Sequence, residues 1–231
     1  EICACLVGSE MCIRDSVNTA KQLAADGFDV VFLAPDATGH ITPEVLSEAL
    51  TEDTILLSCQ LVNNEIGTVQ PVEQLGKLLK AKAPKALFHI DAVQGLCRVR
   101  LTPKKWNCDL MSVSGHKIGA PKGIGALYVK KGLRLPPLTF GGGQERGLRS
   151  GTQNVAGAVA LAIGLNESNA RMQAQYRELV ASRDMLIDAV RRVAPRADLT
   201  GDPERRLPGH ASFIFPGVTG EAVSYTHLRA H

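Results

Sequence analysis

The sequence predicts an α/β domain built on a largely parallel sheet, and three observations carry that reading. Helix-period and strand-period segments alternate along the chain from about Val17. The strand segments are short apolar runs bounded by turn residues, as parallel strands buried on both faces are. With 231 residues, 45% of them apolar and 21% charged, the chain is long enough for a hydrophobic core. That composition also argues against disorder and excludes collagen-like, low-complexity and disulfide-scaffold classes.

The elements follow in order. VNTAKQLAADG reads as a helix stopped by Gly27, and FDVVFLAP as the strand after it. Thr42 is placed to cap a second helix with Pro43 at its first position. TILLSCQLV is the next strand. Pro71 opens the helix PVEQLGKLLKAKA, which leads into the strand ALFHIDAV, and LMSVSG and IGALYV complete the strand set. After Thr152 the texture changes to VAGAVALAIGL and NARMQAQYRELVASRDMLIDAVRRV, two long apolar-periodic segments that read as amphipathic helices packing on a domain or partner. TGDPERRLPGHASFIFPG then offers one short strand candidate, HASFIF, as the start of a second, smaller domain.

Charge and cysteine usage narrow the function classes. A formal net charge of +3 is too small and too dispersed for nucleic-acid binding, so small molecules or protein are the expected partners. No apolar run approaches the roughly 18 residues that span a bilayer. Cys3, Cys5 and Cys12 crowd one end while Cys59, Cys97 and Cys108 stand apart, with no C-x-x-C pair, which favours a reducing cytoplasm. The start, EICACLVGSE, lacks the basic and apolar regions of a signal peptide.

Four clusters could carry chemistry. NNEIGTVQP directly follows a strand, where parallel sheets present ligand-binding groups, although Asn, Gly and Pro are also ordinary turn chemistry. HIDAVQG places Asp91 at the end of a strand, with Gln94 in the turn beyond; the carboxylate either meets a cation or caps a following helix. His89 shares its strand face and reads as a satisfied core histidine in preference to half of a metal pair. SVSGHKIGAPKGIG puts Ser114, His116 and Lys117 at the next strand end, where a lysine in a partly dry pocket is a nucleophile toward aldehydes. Its glycines do not fit the G-x-x-x-x-G-K-[ST] phosphate loop, which disfavours a nucleoside triphosphatase. GGGQERGLRSGTQN, just ahead of a helix, is either an anion site or a flexible loop.

Asp91 and Lys117 on successive strand ends form the pair that pyridoxal phosphate chemistry needs. The lysine forms the aldimine, and the carboxylate keeps the pyridine nitrogen protonated so that the ring can take up the electrons of a carbanion. Ser114 and His116 could donate to the phosphate.

With NNEIGTVQP, HIDAVQ, SGHKIGAPKGIGALYV and GGGQERGLRSGT in this order, residues 17–222 resemble the NifS/IscS-type cysteine desulfurases, class V members of the fold-type I pyridoxal phosphate enzymes. The resemblance implies a three-layer α/β/α large domain and the start of a small α+β C-terminal domain. It implies that Lys117 carries the internal aldimine, Asp91 pairs with the pyridine nitrogen, Gln94 bonds the phenolic oxygen and Asn64 faces cofactor and substrate carboxylate. Ser114 and His116 would contact the phosphate, and Thr152 would do so from the neighbouring subunit of a homodimer. Lys117 and His116 are the implied catalytic groups. The family's reaction takes L-cysteine to L-alanine, leaving a persulfide for a sulfur acceptor such as an iron-sulfur scaffold. A selenocysteine lyase or other class V enzyme, and a non-catalytic interaction module, are the alternatives.

The chain also departs from the family. The early phosphate-binding turn and the ring-stacking His are missing, with EMCIRDS where that His would fall, and so is the later loop with its catalytic cysteine and carboxylate-binding Arg. None of Cys59, Cys97 or Cys108 matches the nucleophile, so the isolated chain is expected to be inactive. Residues 1–16 and 223–231 resemble translated adapter-type sequence and are read as non-native. Residues 17–170 are then the central part of the large domain, and residues 171–222 the linking helix and truncated start of the small one. The expected setting is the cytoplasm, with no membrane or nucleic-acid partner and no metal.

Overall fold

A computed structural model describes residues 2–5 and 10–218. A six-stranded sheet is built from β1 (Ile2–Cys5), β2 (Val30–Leu33), β3 (Leu56–Gln60), β4 (Leu87–Asp91), β5 (Leu110–Ser114) and β6 (Gly125–Val129). Its order is β2-β1-β3-β4-β5-β6, parallel throughout except for β6, which runs antiparallel to β5. The predicted strands thus all form. The sheet additionally takes in Ile2–Cys5, from the stretch read as foreign; residues 223–231 lie outside the described residues.

Helices α1 (Glu10–Ala25), α2 (Pro43–Ala49) and α3 (Val72–Lys82) link the strands. The Val45 amide donates to Thr42 Oγ1 at 3.3 Å, with Pro43 in the first turn, as the sequence predicts. Alternate residues of the central strands, Leu57 and Cys59 on β3 and Phe88 and Ile90 on β4, are fully buried and meet Leu46 of α2 and Leu75 and Leu79 of α3. The chain steps one way across the sheet from β1 to β2 and the other way from β3 to β4. Right-handed crossovers therefore put α1 on the face opposite α3, giving helices on both faces. The direction reverses between β1 and β3, which makes the carboxyl edge there the place where such sheets bind ligands.

Two expectations need correction. The two helices expected after Thr152 are one, α4 (Val155–Val193), 39 residues long, so the boundary expected after residue 170 falls inside a helix. The apolar pattern weakens at Asn166–Asn169, but Ser168 Oγ donates to Ile118 O at 3.0 Å, which ties its hydroxyl to a neighbouring element instead of the helix's own backbone. HASFIF yields only a two-residue strand, β8 (Phe213–Ile214), paired antiparallel with β7 (Asp198–Leu199).

Candidate active site at the carboxyl edge of the sheet

The register sets Gln60 of β3 beside Asp91 of β4, and Asp91 beside Ser112 of β5. Three neighbouring strands therefore end together. Asn64 follows β3, Gln94 follows β4, and Ser114, His116 and Lys117 lie at the end of β5 and in the 3-10 turn after it, Gly115–Ile118. Six of the seven expected site residues thus share one edge.

Each is held by local chemistry. Asp91 Oδ1 accepts from the Val93 amide at 2.9 Å, an Asx turn that fixes the carboxylate; hydrogen-bonded turns follow it, so it caps no helix. Gln94 Oε1 accepts from Arg98 Nη1 at 2.8 Å. Ser114 Oγ and His116 Nδ1 share a hydrogen bond of 2.8 Å. In a 3-10 turn residues i and i+3 share a face, so burial of Gly115 and Ile118 turns His116 and Lys117 outward. Lys117 is exposed, and its turn lines an open cavity together with Leu96, Met172 and Leu179.

NNEIGTVQP is mostly scaffold. Asn63 is fully buried, and its Oδ1 accepts from the amides of Glu65 and Ile66 at 2.9 and 3.0 Å. Gln70 is buried as well, accepting from the Ile41 amide and donating to Gly39 O. Gly67 sits at φ +77, and a Cβ there would lie 2.5 Å from His210 Nδ1. These ties leave Asn64 as the loop's contribution to the edge.

His89 lies beneath Asp91 on the same strand. Its Nδ1 meets Ser58 Oγ at 2.8 Å and its Nε2 meets Ser112 Oγ at 2.9 Å, a polar ladder across β3, β4 and β5. Both ring nitrogens are therefore occupied, in keeping with a satisfied core histidine. Burial pushes its pKa below the ordinary value, against the pull of Asp91.

Thr152 stands apart. It is exposed, and α4 is capped by its own Asn154, whose side chain accepts from the Gly157 amide at 2.9 Å. α4 meets the Lys117 turn at Gly164, nine residues past its first residue. That contact is about 14 Å along the helix from the Thr152 end.

Three contributors escape the sequence reading. Arg98 joins Gln94 to the Lys117 turn, and its i+4 spacing from Gln94 was the available signal. His210 Nε2 meets Asn64 O at 3.2 Å, and Arg206, 5% exposed, donates Nη2 to Ile66 O at 2.9 Å and to Thr200 O. Burial, with the charges of Arg206 and Arg98 behind it, holds His210 below its ordinary pKa, against the bond to Asn64. The contacts of His210 with Asn64 and of Arg206 with Ile66 span more than a hundred residues, a separation that no local pattern reveals.

Cys59, Cys97 and Cys108 are poor nucleophiles. Cys59 and Cys108 are buried, burial pushes the Cys108 thiol up to about 12, and it raises the Cys97 thiol too.

Comparison with known proteins gives a consistent result. The family model described as Aminotransferase class-V matches residues 6–228. The chain is 40% identical over 207 residues to "Cysteine desulfurase IscS" of Methanosarcina thermophila, covering 90% of this chain and 50% of that protein. It is 41% identical over 207 residues to "Putative cysteine desulfurase IscS 1" of Bacillus subtilis, covering 90% of this chain and 54% of that protein. A solved structure titled "NIFS-LIKE PROTEIN" superposes with a TM-score of 0.91 at 33% identity, covering 99% of this chain and 61% of that one. The chain spans about half the length of the curated relatives it matches.

Proposed function

Because the chain belongs to the class V aminotransferase family, whose enzymes depend on pyridoxal 5'-phosphate, we propose that the protein is a cysteine desulfurase with its cofactor site at the carboxyl edge of β3, β4 and β5. In this reading the whole enzyme takes L-cysteine to L-alanine and hands the sulfur, as a persulfide, to an acceptor protein such as an iron-sulfur scaffold. The observation that carries it is the convergence of a fixed carboxylate, an amide and a primary amine on three adjacent strand ends.

The donor set fits the cofactor. Asp91, held by the Val93 amide, is an acceptor for a protonated pyridine nitrogen. Gln94 offers an amide to the phenolic oxygen, and the hydrogen-bonded Ser114 and His116 offer donors to the phosphate. Lys117 Nζ is the amine that would hold the cofactor covalently and carry protons to and from the substrate, with His116 as the second acid-base group. Asn64, its backbone carbonyl engaged by His210, would face cofactor and substrate carboxylate. When bound, the cofactor supplies an electron sink for the pair released at the substrate α-carbon. No thiol among the described residues is assigned the sulfur-accepting role.

A homodimer belongs to the same reading. Leu138, Phe140, Val155, Val159 and Ile163 are exposed, and the last three recur every four residues on one stripe of α4. In this reading Thr152, exposed beside this stripe, serves a neighbouring subunit. Cys59, Cys97 and Cys108 are free thiols, which supports a reducing, cytoplasmic setting. No helix among the described residues is long and apolar enough to cross a membrane.

The test is to mix the protein with pyridoxal phosphate, reduce with borohydride and map the modified peptide. The expected result is a single adduct at Lys117 that the Lys117→Ala variant loses. A principal adduct on another lysine, or none, would overturn the assignment.

A further inference from the structure

Arg98 bonds two of the candidate site segments. Its Nη1 donates to Gln94 Oε1 at 2.8 Å, and its Nη2 approaches Lys117 O at 3.4 Å. A carboxamide has one acceptor end and one donor end, and it can present either by rotating about its last bond. A guanidinium has only donors, so the end it holds must be the oxygen. We propose that Arg98 is a positioning residue that locks the Gln94 amide in one orientation, with Oε1 turned back toward the guanidinium and the Nε2 donors left for the ligand.

The lock decides what Gln94 can recognise. With its oxygen engaged, Gln94 offers only N–H groups, which favour an ionised phenolic oxygen, the stronger acceptor, over a protonated one. Without the guanidinium both orientations become available, and the selectivity falls. The fork matters as much as the charge, because one planar group reaches two acceptors on two different turns. A lysine keeps the charge but has a single nitrogen to divide between them. The second branch ties the turn after β4 to the turn after β5, so the spacing between the Gln94 and Lys117 segments is set by the same side chain.

The inference rests on the cofactor reading, and two measurements separate their fates. In ligand-free, 15N-labelled protein, the side-chain amide signals of Gln94 are identified by their loss in Gln94→Ala. They are expected to shift in Arg98→Met and in Arg98→Lys, and unchanged signals would overturn the lock. Pyridoxal phosphate is then titrated, by absorbance, into wild type, Gln94→Ala, Arg98→Met, Arg98→Lys and the Gln94→Ala/Arg98→Met double variant. Each Arg98 variant is expected to bind about tenfold more weakly, the size of one charge-assisted hydrogen bond, and the double variant no more weakly than Gln94→Ala. Additive losses, or an Arg98→Lys variant that binds like wild type, would overturn the inference while leaving the cofactor reading intact. If wild type gives no Lys117-dependent absorbance change, the reading itself fails and the lock has no ligand to serve.

Discussion

Asp109 illustrates at the residue scale how a buried charge is maintained. Its side chain is 5% exposed at the start of β5, where Lys80 Nζ bonds Oδ2 at 2.6 Å, Lys130 Nζ bonds Oδ1 at 2.9 Å and the Phe88 amide donates to Oδ2 at 3.0 Å. Burial alone would raise its pKa, but the bonds from Lys80, Lys130 and Phe88 outweigh it and hold the carboxyl below the ordinary value. Lys130 is half exposed, so solvent weakens its attraction relative to that of Lys80. Asp109→Asn should destabilise the fold by about 2–3 kcal/mol at pH 7, read as a lower urea midpoint, because Lys80 loses its ion partner in a largely buried position. A lowered folded pKa means that the stabilisation is fully present above the unfolded value of 3.8 and is lost as the pH falls from there through the folded value. The difference between variant and wild type should therefore shrink below pH 4. A gap that is constant with pH would show that Asp109 acts by shape alone. Asp109 lies at the opposite end of the sheet from Asp91, and the sequence marks out only Asp91, because strand-end acids are visible there while a lysine 29 residues away is not.

At the scale of elements, α3 shows a local rule overridden by packing. Gly76 lies inside a helix, where glycine costs about 1 kcal/mol relative to alanine. A Cβ there would come within 2.0 Å of Trp106 O, so the helix needs glycine to approach the 102–108 segment. Gly76→Ala should destabilise by about 1–3 kcal/mol despite its better helix propensity, as thermal denaturation would register. A stabilised variant would mean that the segment yields freely. The same override joins α4: helix propensity falls at Asn166–Asn169, yet Gly164 and Ser168 seat this stretch on Ile118 and Ala120. Strand and helix placement over β2 to β6 was legible because periodicity and caps are local. The continuity of α4 was not, because a contact with residues about fifty positions away decides it.

For the whole molecule, the apolar stripe of α4 and the nearby Leu138 and Phe140 leave a hydrophobic surface that the proposed dimer would cover. Val159→Glu together with Ile163→Glu should shift the protein from dimer to monomer in sedimentation equilibrium, since two charges would have to be buried without partners. An unchanged mass would remove this face from the interface. The single chain brings Asn64, Asp91, Gln94, Ser114, His116 and Lys117 to one edge and leaves Thr152 elsewhere, which is the division expected of a site shared between subunits.

The sequence by itself determined the α/β class, the order of the elements from β2 to β6 and the residue types at the strand ends. All three follow from local periodicity, capping and the run of motifs. Only the tertiary structure decided that Lys117 faces outward, that Asn63 and Gln70 serve as scaffold, and that Arg98, Arg206 and His210 brace the site. Those outcomes depend on which side chains meet across strand register and distant loops. A residue's neighbours in space are fixed by the packing of the whole sheet, which no short window of sequence contains.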